Sequence, residues 1–195
     1  MNNKKFRLLF LGFVIAIAAC APKSNLFIRE ATLAKATKKI AVFPFQDANL
    51  RASDDTSVPR AGMLTLKFLE HAEPVLASRY QFIPQDKIMA ALKEAGFEGY
   101  DPNKSMLRQA SFQTTGYTIP QAVEIARNLG ADAVFLGEVA GMQFHPVFSI
   151  SVRMLDTKTG KVIVAASATA GRGLNFTPWN EPMKKIVSRF AQEVP

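Results

Sequence analysis

Ala126-Arg127-Asn128-Leu129-Gly130-Ala131-Asp132-Ala133-Val134-Phe135-Leu136-Gly137-Glu138-Val139 is the stretch that decides the fold. Ala122, Val123, Ala126 and Leu129 fall on one helical face, and Gly130 ends the helix. Ala133 to Val139 then runs apolar enough for a central strand. Just upstream, Thr118-Ile119-Pro120-Gln121 has the spacing of a capping box, which predicts where that helix begins.

Toward the N-terminus, Lys39-Ile40-Ala41-Val42-Phe43-Pro44-Phe45 is a β-branched and aromatic run that ends in the polar stretch 46–60. It predicts a buried first strand, with Pro44 near its end or edge. Ala61, Leu64, Phe68 and Ala72 recur at helical spacing, with Leu69 and Leu76 widening the stripe and Pro74 expected to kink or stop the helix. Tyr80 to Ile83 is a second strand, and Pro84 opens a helix carrying Ile88, Ala91, Leu92 and Ala95 before Gly96. Residues 97–117 are polar and aromatic and predict a long connection.

Toward the C-terminus, Phe148, Ile150, Val152 and Met154 alternate with Ser149, Ser151 and Arg153. The turn sequence Asp156-Thr157-Lys158-Thr159-Gly160 joins them to the run from Val162 to Thr169, an antiparallel hairpin with one buried face. Trp179, Met183, Ile186, Val187 and Phe190 form the stripe of a last helix that begins at Pro178 or Pro182. The expected fold is α/β (α+β): a mixed sheet of about five strands with helices packed on it, ending in an antiparallel hairpin and a C-terminal helix. It forms a single domain over 39–195, without an internal repeat.

The chain has 195 residues, 48% hydrophobic and 21% charged, which excludes a disordered or collagen-like polymer. A domain of this size buries roughly 70% of the surface its unfolded chain exposes, so it needs no metal or disulfide staple. The net charge of +8 is unevenly placed. Lys4, Lys5 and Arg7 stand without an acid in residues 1–19, and Lys23, Arg29, Lys35, Lys38 and Lys39 face only Glu30 in residues 20–39. Residues 40–195 hold 16 basic and 15 acidic side chains, so no basic face for nucleic acid is implied on the folded part.

The basic start is followed by twelve apolar or small residues, Leu8 to Ala19, a length that suits a signal-peptide core and falls short of a bilayer span. It ends in Ile17-Ala18-Ala19-Cys20, which resembles the lipobox of bacterial lipoproteins. That resemblance implies a signal peptide over 1–19, cleavage before Cys20, a thioether to diacylglycerol on the Cys20 sulfur and acylation of the new amine. Two or three acyl chains hold a protein on a bilayer where one does not. Ala21 in place of Asp implies sorting to the periplasmic face of the outer membrane. The lipidated N-terminus and tether span 20–38, read as a stretch touching anionic head groups, a solvated linker or a short helix packed on the domain.

Three blocks, Ile40 to Phe45, Ala126 to Val139 and Val152 to Val162, together resemble the periplasmic lipoprotein group around CsgG, LpoB and the TolB amino-terminal domain. The resemblance spans nearly all of 39–191. It implies an adaptor: the curli protein of the group forms an outer-membrane export pore, and LpoB-type members activate a peptidoglycan synthase. This chain departs from both. The connection Gly141 to Pro146 is too short for the added membrane hairpins of a pore, each strand of which needs about 9 to 11 residues. Residues 97–117 lack clear alternation, and the tether is brief.

Candidate chemistry is sparse. His71 and His145 lack a second metal ligand at helical spacing or a paired carboxylate, and are read as structural or solvated. Asp47, Asp54 and Asp55 follow the first strand without the calcium-loop spacing. Gly171-Arg172-Gly173 lacks the third glycine and the helix of a phosphate cradle. No catalytic residue, metal or cofactor is expected. Tyr100, Phe112 and Tyr117 in the long connection, with Arg172, Phe176 and Trp179 near the last helix, are the candidate partner interface. The expectation is a non-enzymatic protein bound to the membrane through acylated Cys20. It acts in envelope biogenesis or in assembling a surface or secretion complex, with an envelope protein or a second copy as partner. The alternatives are a ring-forming channel subunit and an activator of a peptidoglycan synthase.

Overall fold

The computed structural model describes residues 23–47, 57–97, 117–140, 147–171 and 179–195. Its elements, in chain order, are β1 (Lys23–Ile28), α1 (Ala31–Ala36), β2 (Lys39–Val42), β3 (Gln46–Asp47), α2 (Ser57–Leu76), β4 (Gln81–Phe82), α3 (Gln85–Glu94), α4 (Ile119–Asn128), β5 (Ala133–Ala140), β6 (Val147–Asp156), β7 (Val162–Gly171) and α5 (Asn180–Glu193). Seven strands form one sheet in the order β1-β7-β6-β5-β2-β4, with β3 beside β5. The β4, β2, β5 side is parallel; β5, β6, β7 and β1 are antiparallel.

Alternation along β2 sends Ile40 and Val42 into one apolar cluster and Ala41, with Phe43 beyond it, into another. The parallel half of the sheet is therefore covered on both sides. On one face Leu64, Phe68 and Leu76 of α2 and Met183, Ile186 and Phe190 of α5 pack on Phe135, Phe148, Ile150, Val152 and Met154. Phe45, Phe68, Phe135 and Phe190 form a chain of tilted rings with centroids 5.1–6.3 Å apart. On the other face Ile88, Leu92, Ala122, Val123 and Ala126 of α3 and α4 cover Ala41, Phe43, Val134 and Leu136. Fully burying each large apolar side chain contributes ~1.5–3 kcal/mol.

The mixed α/β architecture matches the sequence reading. The five expected strands are present, and β1 and β3 are additions. Of the segment 20–38 expected as a tether, residues 23–38 are described, and they include β1 and α1. Lys23–Ile28 pairs along its whole length with β7, and Leu26 and Ile28 lie against the core beneath α5. The Arg29 and Glu30 amides then donate to the Ile163 carbonyl at 2.8 and 3.2 Å. Pro74 does not stop α2 but sits in its last turn, exposed, where the helix gives up one N–H and ends two residues later.

The three blocks that carry the family resemblance hold the chain together. Asp132 Oδ2 accepts the Lys38 and Lys39 amides at 3.0 and 2.9 Å, fixing the entry to β2 beside the entry to β5. The Thr157 hydroxyl donates to the Ala131 carbonyl at 2.6 Å, and Asp156 Oδ2 accepts the Thr159 amide at 2.7 Å in the hairpin turn. Gly130 leaves α4 at φ +75°, a conformation other residues adopt only with strain. The Thr118 amide donates to Gln121 Oε1 at 2.9 Å, as the capping-box spacing predicts.

Candidate functional site

The helices α3 and α4 cover only part of their face of the sheet. Across β6, β7 and β1 that face carries Ser149, Ser151 and Arg153, then Ala165, Ser167 and Thr169, then Asn25 and Phe27, all half-buried or exposed. Registry aligns them in rows: Glu138, Ser151, Ser167 and Asn25 form one, and Arg153, Ala165 and Phe27 the next. Neighbouring strands lie about 4.8 Å apart, so Phe27 and Arg153 stand roughly 10 Å from each other with only the Ala165 methyl between. The short hydroxyl and methyl side chains make this face flat.

Its borders are distinct. Phe27 is 65% exposed on the edge strand. On the opposite side Arg153 and Glu138 pair at 3.6 Å, with both side chains well solvated, an ion pair that contributes little stability and leaves both charges open to a partner. A flat face with a hydroxyl centre, an aromatic edge and a solvated ion pair suits docking by shape and hydrogen bonding.

Of the proposed interface residues, Tyr117 and Trp179 are described, and they belong to opposite faces of the sheet. Tyr117 closes the end of the α3 and α4 layer: its ring meets Phe43 edge-on at 5.4 Å, and its hydroxyl donates to the Pro44 carbonyl at 2.5 Å. Gln46 Nε2 donates to the Tyr117 carbonyl at 2.9 Å. Burial pushes the Tyr117 phenol well above its ordinary pKa, opposed in part by the nearby Arg153 guanidinium. Tyr117 thus borders the open face, half-buried, with its ring and hydroxyl engaged within the domain. Trp179 precedes α5 and packs, half-buried, against the core under α2 and α5.

Cys20, Tyr100, Phe112, Arg172, Phe176, His145, Asp54 and Asp55 lie outside the described residues. His71 is on α2 with its Nε2 buried and without a hydrogen-bond partner. The backbone of Asp47 pairs with Val139 in the β3–β5 ladder. Among the described residues no cluster of three or more His, Cys, Asp or Glu side chains is placed to hold a metal ion, and no helix is long and apolar enough to cross a membrane. The sequence reading missed Phe27. The signal was present in Leu26 and Ile28 flanking it at strand period, within a segment whose charge drew attention instead.

No protein-family model matches the sequence, and no curated protein matches it. Among solved structures the chain is similar to a point variant of the PelC dodecamer from Paraburkholderia phytofirmans, at 12% identity and a TM-score of 0.48, covering 89% of this chain and 99% of that one. It is similar to lipoprotein GNA1162 from Neisseria meningitidis, at 16% identity and a TM-score of 0.47, covering 80% and 99%. It is also similar to the LpoB C-terminal domain from Escherichia coli, at 13% identity and a TM-score of 0.41, covering 69% and 83%.

Proposed function

We propose that this chain is a lipid-anchored, non-enzymatic binding or assembly protein on the periplasmic face of the outer membrane. Its role is in envelope biogenesis or in building a surface or secretion complex. The reading is carried by one conjunction: Ile17-Ala18-Ala19-Cys20 closing a signal-like segment, ahead of a domain whose described helices leave part of one sheet face open. Acylation at Cys20 fixes the location, and the flat face across β5, β6 and β7 receives the partner. The side chains best suited to chemistry support this reading by what they do instead. Asp132, Asp156 and Thr157 bind backbone groups, and Tyr117 seals a layer.

Two measurements test it. Mass spectrometry of the mature protein should find Cys20 as the first residue carrying acyl chains; a bare thiol, or a first residue elsewhere, overturns the anchor. A photo-crosslinking residue at Ser151 should give a protein adduct in intact envelopes, whereas the same probe at Lys93 on α3 should not. Absence of an adduct at Ser151 overturns the docking role, and an adduct to a second copy makes the partner the chain itself.

A further inference from the structure

The edge strand β1 begins three residues after Cys20, so the chain between the proposed anchor and the sheet spans about 10 Å at most. That is comparable to the depth of the head-group layer on one side of a bilayer. β1 is therefore held at the membrane surface, and what it exposes there is specific. Asn25, Phe27 and Arg29 share its outer face, Phe27 is 65% exposed, and Arg29, Lys35 and Lys38 are exposed just beyond it.

The groups on the neighbouring elements do not cancel this charge. Ala165, Ser167 and Thr169 of β7 are neutral, and Glu193 of α5 is engaged by Arg189 at 2.5 Å. Glu30 is the single acid between Cys20 and Lys39. An aromatic ring set among cations is the composition of an interfacial membrane contact: the ring enters the head-group boundary and the cations pair with anionic lipid.

We infer that the β1 edge, through Phe27 with Arg29 and Lys35, is a second membrane contact that lays the domain against an anionic lipid surface in a fixed orientation. The inference rests on the anchored reading above. It turns the lipid on Cys20 from a leash into one of two points that set which way the open face looks.

Acylation consumes the sulfur of Cys20, the one cysteine of the chain, so an introduced thiol is unique. Full-length acylated protein carrying Asn25→Cys or, as control, Lys93→Cys is spin-labelled and reconstituted into vesicles of phosphatidylcholine with or without phosphatidylglycerol. The ratio of oxygen to nickel-chelate accessibility then reports depth. In vesicles with phosphatidylglycerol, the ratio at position 25 should exceed that at position 93 several-fold. It should fall toward the aqueous value with Phe27→Ser, and membrane contact should weaken about fivefold for each of Arg29→Gln and Lys35→Gln. Equal ratios at the two positions, or immersion indifferent to phosphatidylglycerol, overturn the inference. So does dipolar broadening between labels at position 25, which would mean that β1 pairs with a second copy. Flotation with vesicles and the mass of Cys20, measured on the same samples, report separately on the anchor.

Discussion

Gly137 lies directly against the ring of Phe45: a Cβ placed on Gly137 would overlap Phe45 Cδ1, Cε1 and Cγ. The ring cannot retreat freely from such an overlap, because it tilts against Phe68 at 5.3 Å inside the core. The Phe45 amide is also held by Thr65 Oγ1 at 2.7 Å. The missing side chain in the middle of β5 is what lets the loop after β2 fold over the sheet.

Gly137→Ala should therefore destabilise the protein by ~1–3 kcal/mol, the range for forcing an extra carbon into a packed core. Urea unfolding checks it. Adding Phe45→Leu, which removes ring volume at the clash, should return part of the loss, so the double mutant will be less damaged than the two single effects added together. Strict additivity would show that the contact is not the cause.

Burial raises the phenol pKa of Tyr117, and that of Tyr80 in the same direction. The folded state then keeps protons that the unfolded chain releases near pH 10, so stability from this source is full below that pH and falls as pH rises through the alkaline range. One such group contributes a slope of up to about 1.4 kcal/mol per pH unit. Tyr117→Phe should weaken the protein at pH 8 by ~1 kcal/mol through the lost bond to the Pro44 carbonyl, yet show a shallower decline from pH 9 to 11. Unfolding midpoints across that range decide the matter; parallel curves for the two proteins would refute it.

Arg79 follows α2 and directs its guanidinium at the far end of α5, donating to the carbonyls of Phe190 at 3.4 Å, Ala191 at 3.3 Å and Val194. A helix C-terminus leaves its last carbonyls short of intrahelical donors, and of these three the Phe190 carbonyl also accepts the Val194 amide at 3.3 Å. Arg79→Ala should cost ~1.5–3 kcal/mol, the range for bonds to a charged group, and Arg79→Lys should recover little because an ammonium cannot reach three carbonyls at once. Hydrogen exchange should show the loss concentrated in the last turn of α5. A uniform change across all helices would argue against this local role.

Thr157 is 2% exposed and gives its hydroxyl to Ala131, tying the hairpin turn to the loop that precedes β5. Thr157→Val keeps the shape but strands the Ala131 carbonyl, for an expected loss of ~1–3 kcal/mol, whereas Thr157→Ser should stay within about 1 kcal/mol of the parent. Thermal melts of the pair distinguish a hydrogen-bond role from a packing one, which would reverse the order.

Most of the sheet is legible in the sequence because its strands obey a simple period. Val134, Phe135 and Leu136 run apolar because β5 is covered on both faces, and Ile150, Val152 and Met154 alternate because β6 is covered on one. Two features escape that logic. β1 turns only Leu26 and Ile28 to the core, too few to stand out among Lys23, Ser24, Asn25 and Phe27, and its place depends on β7, far along the chain. The open face is likewise a product of topology: Ser151 and Ser167 read as ordinary polar positions, and they share a role because, among the described residues, no helix lies over them. The contacts of Tyr117 are equally a product of the fold: it stands in a polar stretch of sequence, yet its ring meets Phe43 edge-on.

The pairing of β1 with β7, and the bond of 2.8 Å from Arg189 Nη1 to the Ser24 carbonyl, impose an order of assembly. The strand made first must wait for the last strand and for α5, which are made at the end, and closing so large a loop is entropically slow. Until then Phe27 and the amides around it lack the partners that β7 gives them. The piece of the sheet nearest the proposed lipid is thus the last to be laid in, and the chain acquires that edge only when the rest is already built.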